Sequence, residues 1–154
     1  MDKIIIYTDG GCSNNQCKEN VGGYGAVIYY KKHIKEIYGG ELNTTNQRME
    51  LISVIKPLEL ITNYNIPVEI YSDSAYVVNA FNEHWLEKWV KNGWKTSQKK
   101  PVENQDLWKQ LLTIYNKCDN INIIKVKGHS GNELNEKADE LAQKGIKELK
   151  DNKK

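Results

Sequence analysis

The chain has 154 residues, 39% of them apolar and 27% charged, with a formal net charge of +2. That length fits one domain with a sizeable core and leaves little for a second. No run approaches the roughly 18 consecutive apolar residues of a membrane helix, and the near-neutral balance excludes inferring a partner from net charge.

Residues 3–8 predict a buried strand, a short apolar run rich in β-branched side chains. The glycine-, asparagine- and lysine-rich segment 10–23 predicts a loop. Tyr24–Tyr30 and Ile34–Tyr38 predict a hairpin turning at Lys31-Lys32-His33 and ending at Gly39 and Gly40. Thr44, Thr45 and Asn46 are N-cap residues for a helix whose Leu51, Val54, Ile55, Leu58 and Ile61 share one face. Pro57 lies inside that pattern; it lacks a backbone donor and opposes the Ser53 carbonyl, which predicts a kink or break. Val68–Ser72 is a further strand, and Ser74 caps a helix turning Val77, Val78 and Phe81 inward. Residues 85–102 are polar, basic and aromatic, after which Leu107, Trp108, Leu111, Leu112 and Tyr115 mark a helix. Ile121–Val126 is a strand, Gly128–Asn132 a loop, and Leu134, Ala138, Leu141, Ala142 and Leu149 line a last helix. A three-strand meander followed by crossover units implies an α/β fold: one mixed sheet with helices packed on its faces.

The chain reads as a single domain over 1–149 with a lysine-rich tail, 150–154, fraying from about Lys147. The first apolar run starts too soon and is too short for a signal peptide, so a cytoplasmic protein is expected. Cys12, Cys17 and Cys118 form no CxxC pair and read as free thiols. Arg48 is the only arginine among 22 basic residues.

Four acids stand where elements begin, end or turn: Asp9 after Ile4–Thr8, Glu50 in the first turn of a helix, Asp73 after Val68–Ser72, and Asp139 on the polar side of the last helix. Burying an unpaired carboxylate is costly, and most such acids are simply solvated. If the fold gathers them, they make a hard oxygen-ligand cluster suited to Mg²⁺. Parallel pairing of the strands before Asp9 and Asp73 would put both at the edge where open α/β sheets hold ligands.

The blocks YTDGGC (7–12), GGYGAVI (22–28), TTNQRMEL (44–51), YSDSAYV (71–77), WLEKWVKNGWKTSQKKPVENQDLW (85–108) and VKGHSGNELNEKADELA (126–142) follow one another in a distinctive order. In order and spacing they resemble the type 1 cellular form of the ribonuclease H family, over nearly the whole chain. The resemblance implies a ribonuclease H-like fold, with a three-strand antiparallel meander plus two parallel strands and helices on both faces. It implies an endonuclease that hydrolyses the RNA strand of RNA–DNA hybrids, leaving 5′-phosphate and 3′-hydroxyl ends. Asp9, Glu50, Asp73 and Asp139 match the family's four carboxylates, which would hold two Mg²⁺ ions about 3.5–4 Å apart, with Mn²⁺ as a substitute. His129, a loop histidine with a switchable charge, would assist proton transfer or product release.

Trp85, Trp89 and Trp94 stand among Lys88, Lys91, Lys95, Lys99 and Lys100, a density suited to neutralising phosphates and packing on sugars or bases. The plainer alternative, that Trp85 and Trp89 at i, i+4 are core residues of an amphipathic helix, carries equal weight and is compatible with it. The matching family segment is a basic protrusion that grips the DNA strand. Sensing the RNA 2′-hydroxyl needs groups that donate and accept; the family match gives that role to Cys12, Asn46 and Gln47, although capping and loop polarity alone would account for Asn46. It also places Thr45 and Asn104 in a DNA-phosphate pocket, where Asn43 replaces an arginine common in relatives. The longer loop 12–21 leaves open whether Asn14, Asn15 or Asn20 faces RNA. A monomer without an obligate protein partner is expected. Two rivals are a non-catalytic hybrid-binding module, which loss of an acid would have favoured, and a resolvase or integrase core, which usually lacks the protrusion and the loop histidine.

Overall fold

The computed structural model describes residues 2–13, 20–126 and 133–152. His129, Cys17, Asn14, Asn15 and the Gly128–Asn132 loop lie outside them. Five strands, β1 (Ile4–Cys12), β2 (Val21–Tyr30), β3 (His33–Leu42), β4 (Val68–Ser72) and β5 (Ile121–Lys125), form one sheet in the order β3-β2-β1-β4-β5. The meander β1–β2–β3 is antiparallel, and β1–β4 and β4–β5 are parallel. The helices are α1 (Asn46–Leu58), α2 (Ala75–Asn82), α3 (Trp85–Lys91), α4 (Gln105–Lys117) and α5 (Glu133–Asn152). None is long and apolar enough to cross a membrane among the described residues.

Two strand boundaries differ from expectation. β1 continues through Gly10 and Gly11 to Cys12, and β2 already begins at Val21, so much of the expected loop 10–23 is sheet. Likewise Gly39 and Gly40 lie within β3, paired with Tyr24 and Gly23. Glycine lowers strand propensity and reads as a turn, but here it answers a packing demand. A methyl on Gly10 would collide with the Met49 carbonyl of α1, and one on Gly25 with the Ala138 carbonyl of α5. Asp9 and Gly25 are cross-strand partners, whereas Gly10 is Asp9's neighbour and so faces the opposite side. The two helices therefore press on opposite faces of the β1–β2 ribbon.

On the α1 face the main core joins Ile6, Leu51, Val54, Ile55, Ile70 and Trp108, all essentially unexposed. The indole Nε1 of Trp108 donates to the Tyr76 hydroxyl at 2.8 Å, so the buried ring keeps no orphan donor. On the other face α5 lays Ala138, Leu141, Ala142 and Ile146 on the glycine-lined strands. Pro57 occupies the last turn of α1, which ends one residue later, so the expected break is realised as a terminus. α5 continues past Lys147 to Asn152, beyond the point at which fraying was expected.

A strand glycine usually gains stability on substitution by alanine. Gly25→Ala is expected to do the reverse, costing about 1–3 kcal/mol because α5 must lift off the sheet; a urea midpoint equal to wild type would show that the helix does not sit on that residue.

Candidate active site

β1 and β4 run parallel with Thr8 opposite Ser72, so the next residues, Asp9 and Asp73, fall side by side. Glu50 is the fifth residue of α1, slightly deeper than the first turn expected for it. Thr45 caps that helix by accepting from the Arg48 N–H at 3.1 Å. Seating of the Met49 carbonyl on Gly10 brings Glu50 to the same strand end. Asp139 follows Ala138, whose carbonyl rests over Gly25, the partner of Asp9.

The four carboxylates meet as linked pairs. Burial, the hydrogen bond that the protonated Asp9 donates to the Asp139 carboxylate and the negative charges of Asp73 and Asp139 push Asp9 up to about 8, against a smaller opposing effect of the Gly10 N–H. A carboxyl–carboxyl hydrogen bond requires a proton between the pair. Burial, and then the charge of Asp73, also raises Glu50, although the Ser74 hydroxyl donating to Glu50 Oε2 at 2.6 Å works the other way. Among the described residues no three His, Cys, Asp or Glu side chains already enclose one point as a metal cage. Burial first, and then repulsion between the carboxylates, account for the proton that Asp9 retains.

Around this cluster, the Cys12 N–H donates to Asn46 Oδ1 at 2.7 Å, joining the end of β1 to the start of α1. The Cys12 thiol is held above its ordinary value by burial and by Glu41. Asn43 adopts φ 54° and its N–H donates to the Asn20 carbonyl at 2.9 Å. Asn20 is buried and exchanges two 2.8 Å hydrogen bonds with the Thr44 backbone, so it braces the loop. Asn104 starts α4 in the left-handed region, φ 59°, and its Nδ2 donates to the Tyr76 hydroxyl at 3.2 Å. Gln47, Tyr76 and Lys100 line an open groove of about 430 Å³.

The guanidinium of Arg48 grips Asp106 with two 3.1 Å hydrogen bonds, tying together the helix starts that carry Thr45 and Asn104. Sequence reasoning missed Asp106, Tyr76 and the second bond of Ser74. Only the isolation of the single arginine hinted at the first, and nothing local signalled the other two.

Beyond this groove α3 and the following segment form an aromatic stack. Trp89 meets Trp85 and Trp94 at 6.2 Å and the buried Trp108 at 5.4 Å between ring centroids. The tryptophans are thus half-buried against the core, as the plainer alternative held, while Lys88, Lys91, Lys95, Lys99 and Lys100 are all exposed. Left-handed backbone at Gly93, Trp94 and Lys99, and a bridge between Lys95 and Pro101, fold the segment back on itself.

The family model for RNase H matches residues 1–147. The ribonuclease H of Syntrophomonas wolfei is 52% identical over 149 residues, spanning 97% of this chain and 99% of that protein. That of Clostridium botulinum (strain Hall) is 47% identical over 149 residues, with the same shares. Among solved structures, LC9-RNase H1, a type 1 RNase H with the type 2 active-site motif, superposes with a TM-score of 0.84 at 28% identity, covering 96% of this chain and 74% of that one. The foamy viral protease-reverse transcriptase in complex with RNA/DNA hybrid gives 0.75 at 25% identity, covering 94% of this chain and 20% of that one. Matched across nearly its full length by family model and relatives alike, this chain belongs to the ribonuclease H family.

Proposed function

We propose that the chain hydrolyses the RNA strand of RNA–DNA hybrids, leaving 5′-phosphate and 3′-hydroxyl ends, as a cytoplasmic monomer. The observation that carries this reading is the convergence of remote acids: Asp9 with Asp139 and Asp73, and Glu50 with Asp73. The solved relative bound to an RNA/DNA hybrid supports the choice of substrate.

The donor set is all carboxylate oxygen and already crowded enough to retain a proton, which fits hard divalent cations such as Mg²⁺ or, in its place, Mn²⁺. Asp9, Glu50, Asp73 and Asp139 would hold two such ions. When bound, they supply Lewis acidity to the attacking water and to the departing 3′ oxygen. The chain's own side chains do the rest. Asp9, raised in the empty cluster, would give up its proton as the site loads. Asn46, fixed by the Cys12 N–H, faces the minor groove with Cys12 and Gln47 to sense the 2′-hydroxyl. Thr45 and Asn104, with Asn43 beside them, take a DNA phosphate between the two helix starts. The lysines of the protrusion neutralise further phosphates while Trp85, Trp89 and Trp94 stiffen its base and offer ring faces to the DNA strand. His129 moves a proton at the departing group or helps release product.

The reading is tested by incubating labelled RNA–DNA hybrid, double-stranded RNA, double-stranded DNA and single strands with Mg²⁺ or EDTA. Cleavage of the hybrid alone, and only with metal, is expected. Binding without cleavage would favour a non-catalytic module, and cutting of double-stranded DNA a resolvase-like nuclease. His129→Ala is expected to slow turnover yet leave measurable activity; an unchanged rate would take His129 out of the site.

A pH dependence follows from Asp9. Its ordinary value is 3.8 and the folded value about 8, so between these the folded chain holds a proton that the unfolded chain lacks. That stabilisation is complete below about pH 4 and is lost as pH rises through about 8. In EDTA the unfolding temperature is expected to fall across this window, and Asp9→Asn to flatten the slope; an equal slope in the variant would dissociate Asp9 from the effect.

A further inference from the structure

Ser74 stands between Asp73 and α2 with its polar groups committed in three directions. Its N–H donates to Ser72 Oγ at 3.1 Å, its Oγ accepts from the Val77 N–H at 3.2 Å as the cap of α2, and the same Oγ donates to Glu50 Oε2 at 2.6 Å. The residue is 5% exposed. A serine hydroxyl carries one proton and two lone pairs. An amide can only donate in the capping bond, so the single proton is left for one acceptor, and the geometry gives it to Glu50. The separation matches the short range typical of a hydroxyl bound to a carboxylate. Capping alone would need no such contact. It joins α1 to α2 across the cluster, and it constrains the half-buried Glu50 side chain.

We propose that Ser74 is a positioning residue, whose hydroxyl ties down Glu50 Oε2 and so turns Oε1 toward the divalent cation. This rests on the metal role proposed above for Glu50. Removing a partner that orients a metal ligand typically costs about 10–100-fold in metal affinity or activity.

Three variants separate the cap from the donor. Glycine caps a helix almost as well as serine, so Ser74→Gly removes the donor while sparing the cap. Ser74→Ala removes both, and Ser74→Thr keeps both. The readouts are the unfolding temperature in EDTA, calorimetric titration of the substrate-free protein with Mg²⁺, and the Mg²⁺ concentration giving half-maximal hybrid cleavage. Ser74→Gly is expected to unfold in EDTA near wild type, and Ser74→Ala below it. Both are expected to need about tenfold more Mg²⁺ in the two titrations, with kcat largely recovered at saturating metal and Ser74→Thr behaving as wild type. Equal Mg²⁺ affinity in wild type, Ser74→Gly and Ser74→Ala would overturn the assignment. The substrate-free titration does not depend on what is cleaved. A wild-type protein that binds Mg²⁺ with the expected variant order but leaves hybrid intact would therefore overturn the functional reading and uphold the role of Ser74.

Discussion

The close seating of two helix backbones on one strand pair governs the rest of the molecule. The Met49 carbonyl of α1 rests on Gly10 and the Ala138 carbonyl of α5 on Gly25, positions where no larger residue fits without displacement. Asp9 adjoins the first contact in sequence and pairs with the second across the ladder. In each helix the residue after the contact is an acid, Glu50 in one and Asp139 in the other. Two glycines thus do what no ion pair could: they bring like charges together by leaving backbones nowhere else to rest.

That arrangement opposes itself electrostatically. Crowded, half-buried carboxylates repel one another and resist ionising together, and the raised Asp9 with its hydrogen bond to Asp139 records that tension. The rest of the fold offsets it. The core on the α1 face is buried and interlocked around Trp108, whose indole and the Asn104 amide both end on the Tyr76 hydroxyl. Local strain at a site surrounded by well-packed structure is a common division of labour.

Much of this was legible in the amino-acid order. The five strands, the capping roles of Thr45 and Ser74, the order of elements and the choice of the four acids follow from periodicity and placement, although Asp9 lies within β1 and Asp139 within α5 rather than at their ends. What was misread has a shared physical cause. Gly10, Gly22 and Gly40 look like loop residues because propensity is local, whereas helices far along the chain press on them, and Gly39 makes room for the Tyr24 ring of the neighbouring strand. Pro57 looks like a defect within a helix because periodicity continues to Ile61, yet it falls in the last turn of α1. The Arg48–Asp106 grip, the Tyr76 hub and the Glu50–Ser74 bond join residues 58, 28 and 24 positions apart at their nearest. No window on the sequence contains both ends of such a pair. The tryptophans follow the plainer reading, packed inward at their rings while the lysines between them stay in water.

The fork between Arg48 and Asp106 has a wider meaning for this chain. With its single guanidinium occupied by a carboxylate, the surface is left with ammonium groups alone, compact hydrated charges that attract an anion without dictating its orientation. Lysine-only attraction holds a polyanion loosely in register. In the proposed reading, alignment would then come from neutral amides and hydroxyls fixed by the backbone, and holding would be separated from aiming between two kinds of side chain.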